Sequence, residues 1–190
     1  MASERAEGRP AKLRIRVLGG LDVDGISERD LGSRKARTLV KLLGLARGVP
    51  VATDRIADVL WGERMPAQPA DQVGVLVSRL RGVLGPDRIP RSGAGYALVA
   101  DWLDVDELGM RAEESAGRLA AGQFAAARAA AEAALTLARG PLLPDEDGEW
   151  VEAGRAAVAR TVAGVRRTLA EAAAALGDHG TAAAAAEAAL

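Results

Sequence analysis

The chain has 190 residues, room for one large domain or two small ones, since domains mostly run to about 100–150 residues. It is 49% hydrophobic, 27% charged and only 3% aromatic, so it folds around an aliphatic core; with no cysteine and one histidine, disulfides, thiol nucleophiles and most metal chemistry are excluded. The net charge of −1 conceals a split after Val99: residues 1–99 carry 17 Lys and Arg against 11 Asp and Glu, and residues 100–190 carry 8 against 15. A basic half attracts polyanions through counterion release, whereas an acidic, alanine-rich half suits contacts with protein.

In chain order, Met1 to Ala11 is charged and lacks the apolar centre of a signal peptide. No later run reaches the roughly 18 apolar residues of a spanning helix, so a cytoplasmic protein with no membrane partner is expected. Leu13, Ile15 and Val17 alternate with Arg14 and Arg16, and after Gly19-Gly20 a second alternating piece runs to Val23, which predicts a strand pair. Asp24-Gly25 is a turn, and Ile26 to Leu31 is read as a third short strand. Ser33 then caps a helix whose apolar positions Leu39, Leu42, Leu43 and Ala46 keep helical spacing to Gly48.

A second helix starts at Thr53, read as its N-cap, and buries Ile56, Ala57, Leu60 and Trp61 before Gly62. A third starts near Pro69 or Ala70 and stops at Gly85-Pro86; Val73, Val77, Leu80 and Leu84 form its buried stripe. Its opposite face shows Gln72, Val75, Ser78, Arg79 and Gly82, with Leu76 and Arg81 on the flanks. Arg88 to Val99 is then a hairpin around a glycine-rich tip.

Such a third helix is suited to a major groove: Arg79 pairs with guanine edges, Gln72 with adenine, and Val75 meets a thymine methyl. Arg34, Lys35 and Arg37 at the start of the first helix, with Arg88 and Arg91 on the hairpin, are the cations available for phosphates or a neighbouring minor groove.

From Asp104 the chain turns helical. Asp104 is read as the cap of a helix to about Ala121, followed by helices over Gln123 to Arg139, Glu149 to Leu176, and beyond Gly177. Gly122-Gln123-Phe124 with Ala127, Glu132 and Leu135 recurs 55 residues later as Gly177-Asp178-His179 with Ala182, Glu187 and Leu190, which predicts stacked helical hairpins. The pattern reaches Leu190 uncapped, so a longer regulator, cut within this half, is expected. His179 replaces Phe124 in the repeat and is read as packing. Asp145, Glu146, Asp147 and Glu149 miss the spacing of a calcium loop and are read as a solvated linker or helix N-terminal charge. No catalytic, cofactor or metal site is expected, and the protein is not read as an enzyme.

The segments RKARTLVKLLGLARG (34–48), TDRIADVLWG (53–62), QVGVLVSRLRGVLG (72–85) and GYALV (95–99) resemble the OmpR/PhoB-type winged helix of the Streptomyces antibiotic regulatory protein family. ALTLARGPLLPDEDGEW (134–150) and ALGDHGTA (175–182), with Asp104-Val105-Asp106 before them, resemble that family's bacterial transcriptional activation domain. The resemblance implies a mostly α fold with a small β component: a winged helix-turn-helix DNA-binding domain over 12–99, then a TPR-like helical-hairpin domain over 100–190.

It also implies that Gln72, Val75, Leu76 and Arg79 face bases, while Arg81, Arg91 and Ser92, with Thr53 and Ser78, face the backbone or minor groove. Its further implications are double-stranded DNA as partner, contact with RNA polymerase and its sigma subunit, and a homodimer on DNA as one arrangement. Larger relatives carry an ATPase domain after this pair. Gly74 and Val75 stand where relatives often have polar residues, and Arg91-Ser92 where threonine then arginine is common, so no base preference follows. The alternative reading is a protein-interaction or signal-sensing module built on a winged helix that does not bind DNA.

Overall fold

The computed structural model describes residues 12–189; the charged segment 1–11 and the last repeat position, Leu190, lie outside the described residues. The architecture is mostly α, with two small sheets in the first half and two helical hairpins in the second.

Strand β1 (Arg14–Arg16) pairs antiparallel with β2 (Asp22–Val23), Ile15 opposite Val23, as the alternation predicts. Leu13, Ile15 and Val17 are buried, while Arg14 and Arg16 turn outward over the Trp102 ring, 4.1 and 5.6 Å from its centre. The expected third strand is instead a helical turn, α1 (Glu28–Leu31). Ser27 Oγ accepts the Asp30 amide at 3.2 Å, and this local cap outweighs a β pattern carried by so few residues; only Ile26 bridges back to Val23.

Helix α2 (Arg34–Leu45) is capped by Ser33, as expected. After β3 (Val51–Ala52) and α3 (Thr53–Trp61), α4 (Pro69–Leu84) packs against α1, α2 and α3. A 3-10 turn at Pro86–Arg88 leads to the hairpin of β4 (Arg91–Ser92) and β5 (Gly95–Tyr96), and β3 completes that sheet in the order β3-β5-β4.

Thr53 does not cap α3. Its hydroxyl donates to the Ala94 carbonyl at 2.7 Å, and its amide reaches the same oxygen at 3.1 Å, because β3 places it against the hairpin tip.

Strand β6 (Trp102–Leu103), not foreseen from sequence, runs parallel to β1 and leads directly into α5 (Asp104–Ala120). Asp104 opens this helix without capping it. Its carboxylate accepts the amides of Val17 (2.9 and 3.1 Å) and Leu18 (3.0 Å), ending β1. Burial pushes the Asp104 carboxyl above its ordinary pKa, against the opposing pull of those amides.

Helices α6 (Phe124–Leu137), α7 (Glu149–Ala175) and α8 (His179–Ala188) complete two antiparallel hairpins, α5 with α6 and α7 with α8. Gly122 and Gly177 occupy equivalent turns with φ of 71° and 79°, the left-handed conformation that favours glycine, so the repeat has a backbone cause beyond alanine content. Asp178 caps α8 through the Thr181 amide (3.0 Å) and pairs with Arg128 of the preceding hairpin at 2.8 Å. His179, expected to pack, is exposed on the first turn of α8.

The two halves share one core. Leu18 bridges Leu142, the Leu143 amide donates to the Val17 carbonyl at 3.0 Å, and Leu142 and Leu143 are fully buried. Arg155 of α7 gathers the carbonyls of Leu142, Leu143 and Glu146 and so shapes this loop. Glu146, expected in a solvated cluster, is 5% exposed. It accepts from Lys41 Nζ at 2.7 Å and from Thr38 Oγ1 at 3.1 Å, which supplies the charge and hydrogen bonds a buried carboxylate requires. Among the described residues no group of acidic or histidine side chains is arranged to hold a metal ion, and no helix is long and apolar enough to cross a membrane.

Candidate nucleic-acid interface

Helix α4 is built to show one face. Pro69 sits in its first turn, where its missing N–H costs nothing, and Gly85 stops it with φ of 112°. Val73, Val77, Leu80 and Leu84 are buried, as the spacing predicts, which turns Gln72, Val75, Ser78 and Arg79 outward. Gln72, Val75 and Arg79 follow one another at i, i+3 and i+7, so an amide, a branched apolar group and a guanidinium lie along one edge of the helix. Val75 is 44% exposed, an uncovered apolar side chain on an otherwise polar stripe.

Leu76 differs. It is 8% exposed and belongs to the core, so its side chain is not available to bases. Packing against three helices buries a wider arc of α4 than a single stripe, and the flank occupied by Leu76 falls inside it.

The hairpin is held at both ends. At its tip Gly95 lies so close to β3 that a Cβ there would come 2.1 Å from the Val51 carbonyl oxygen, and Thr53 holds Ala94 beside it. At its foot Arg81 of α4 donates from Nε (2.9 Å) and Nη2 (2.5 Å) to the Ile89 carbonyl. Arg88 pairs with Asp101 at 2.7 Å. The Leu13 amide, then Arg88, hold the Asp101 carboxyl below its ordinary pKa. Three expected phosphate contacts, Thr53, Arg81 and Arg88, therefore engage groups of the protein that position the hairpin.

Arg91 and Ser92 remain exposed, Arg91 standing 6.0 Å from the Tyr96 ring centre. At the start of α2, Arg37 donates to the Gly32 carbonyl at 2.7 Å, and Lys35 lies 5.8 Å from the Trp61 ring centre. Arg34 and Lys35 line a cleft shared with Glu146, Asp147 and Trp150, so their positive charge is partly offset from the helical half.

Gln72, Val75, Ser78 and Arg79 on α4 and Arg91 and Ser92 on the hairpin are thus left exposed. Sequence reasoning missed the contact that ties α2 to the helical half. Lys41 reads as one more helix lysine, and its only sequence signal is a charge amid the apolar run Leu39 to Leu43.

Residues 103–190 match the bacterial transcriptional activator domain. Regulatory protein AfsR of Streptomyces coelicolor is 31% identical over 166 residues, which cover 80% of this chain and 16% of that protein. Transcriptional regulatory protein EmbR of Mycobacterium tuberculosis is 35% identical over 130 residues, covering 64% of this chain and 34% of EmbR. The chain therefore spans only a fraction of the length of these relatives.

A solved structure of M. tuberculosis EmbR, in complex with a low-affinity phosphopeptide, superposes with a TM-score of 0.83 at 28% identity, covering 93% of this chain and 49% of that one. The shared winged helix, the helical hairpins that follow it and the matched activator domain place this chain in the Streptomyces antibiotic regulatory protein family.

Proposed function

We propose that the chain is a sequence-specific DNA-binding transcriptional activator of the cytoplasm, in which α4 lies in a major groove and the β4–β5 hairpin acts as the wing beside it. The observation that carries this reading is the outward edge of α4, with Gln72, Val75 and Arg79 exposed opposite a buried apolar stripe. In the groove Arg79 donates to guanine O6 and N7, Gln72 pairs with adenine, and Val75 contacts a thymine methyl. Ser78, Arg91, Ser92, Arg37, Arg34 and Lys35 supply contacts to phosphates or the minor groove, which set register without reading sequence.

The helical half supplies the surface for protein, RNA polymerase with its sigma subunit being the proposed partner, and two copies on adjacent sites are consistent with an activator of this kind. The relatives' roles as regulators support the reading.

Titrating the chain against labelled duplex at a series of salt concentrations tests it. Affinity that falls steeply and log-linearly with salt is expected. Failure to bind duplex at low salt would favour the protein-interaction alternative.

A further inference from the structure

We propose that Arg81 is a positioning residue that fixes the angle between wing and recognition helix, and so the distance between what Arg79 reads and what the wing tip touches. The inference rests on the DNA-binding reading and deepens it. Arg79 and Arg81 are two residues apart on α4, a rotation of about 200°, so they cannot serve the same groove surface. Arg79 is exposed; Arg81 is half-buried and turned toward the hairpin.

Two of the Arg81 donors, Nε and Nη2, converge on one acceptor, the Ile89 carbonyl. Ile89 is fully buried at the foot of the wing, two residues before β4 begins. On either side of this point the hairpin stem is closed, by the Ala97 amide on the Pro90 carbonyl (3.2 Å) toward the tip and by the Val99 amide on the Arg88 carbonyl (2.9 Å) toward the base.

The tip is fixed independently, by Thr53 on Ala94 and by the fit of Gly95 against Val51. A short hairpin held at both ends cannot swing alone, and Arg81 is the tie that comes from the recognition helix itself. The planar guanidinium makes the paired donation possible; a lysine ammonium reaches the same oxygen as a single point donor.

The test uses the 190-residue chain with Arg81→Met, Arg81→Lys, Arg91→Ala and the double variant Arg81→Met/Arg91→Ala. In the free protein, the Ala97 and Val99 amides should exchange about tenfold faster in Arg81→Met and less so in Arg81→Lys, with α2 amides unchanged. Unaltered exchange at those two amides would overturn the proposal.

On a duplex recovered from a random pool by the unaltered chain, Arg81→Met should weaken binding, and Arg91→Ala should add little to that loss, because both act through the wing. Strictly additive losses would overturn the proposal by making Arg81 an independent contact. Failure of the unaltered chain to bind any duplex would instead overturn the DNA reading, and the exchange measurement would still decide whether Arg81 holds the wing.

Discussion

Lys41 Nζ lies 2.7 Å from Glu146 Oε1, and the two side chains are 3% and 6% exposed. The pair joins the centre of α2 to the loop before α7, 105 residues away in the chain, with Thr38 completing the carboxylate's hydrogen bonds. Lys41 also contacts Asp145 at the edge of the same loop. The helical half is thereby fastened to α2, whose buried residues belong to the core of the first half.

Removing one partner of a buried pair leaves a charge without compensation, which costs about 3–5 kcal/mol. Lys41→Met, which leaves the buried Glu146 carboxylate with the Thr38 hydroxyl and no cation, is therefore expected to lower stability by that order in urea unfolding. Lys41→Met combined with Glu146→Leu should recover most of the loss, since a packed apolar pair needs no charge balance. A double variant as unstable as Lys41→Met alone would contradict the electrostatic origin of the loss.

Gly95→Ala places a methyl group against the Val51 carbonyl, where a Cβ would lie 2.1 Å from oxygen, so β3 and β5 must separate. Overpacking of this kind costs about 1–3 kcal/mol. The measurement is the exchange rate of the Thr53 amide, which bonds Ala94 at the tip: faster exchange is expected, and a protected amide with unchanged stability would contradict the geometry.

Asp104 gives a pH signature. Its folded pKa is raised, first by burial, so the contribution linked to its protonation is fully present below the ordinary aspartate pKa and is lost as pH rises through the folded value. The stability of the unaltered protein relative to Asp104→Asn should therefore grow as pH falls across that acid window. Urea unfolding of both proteins over the same pH series measures the difference, and a gap that narrows on acidification would show the sign to be wrong.

Asp178 behaves in the opposite sense. The Thr181 amide, the Thr181 hydroxyl and Arg128 lower its pKa, so its stabilisation is present above the ordinary aspartate value and is lost as pH falls through the folded one. Helix α8 should fray in acid before the rest of the helical half. Protection of the Ala182 amide, which bonds the Asp178 carbonyl at 3.0 Å, should follow this titration in the unaltered protein and be insensitive to it in Asp178→Ala.

Much of this molecule is legible in its sequence where a period repeats often enough to be counted. The buried stripe of α4, the Ser33 cap and the paired glycines of the helical hairpins all follow from spacing. Strands β3 and β6 do not, because two residues carry no period and their partners lie far away in the chain. Leu76 is misplaced for a related reason: a helical wheel assigns faces but does not say how many neighbours a helix has. Glu146 reads as a solvated charge and Asp104 as a helix cap because what buries them, Lys41 and the end of β1, enters only through tertiary contact.

At the candidate interface the outward residues Gln72, Val75, Ser78 and Arg79 are readable from periodicity, whereas the inward commitments of Arg81, Arg88 and Thr53 are not. Each of these depends on a carbonyl or carboxylate of the hairpin or the segment beside it, and charge alone does not distinguish a phosphate contact from an internal one.

The central claim is that α4 reads base sequence through Arg79. The most direct test recovers preferred duplexes from a random pool with the unaltered chain, then titrates Arg79→Ala against the preferred duplex and a scrambled one at fixed salt. The account predicts a loss of about 1–3 kcal/mol on the preferred duplex and a much smaller one on the scrambled duplex. An equal loss on both would make Arg79 a phosphate contact and contradict the claim.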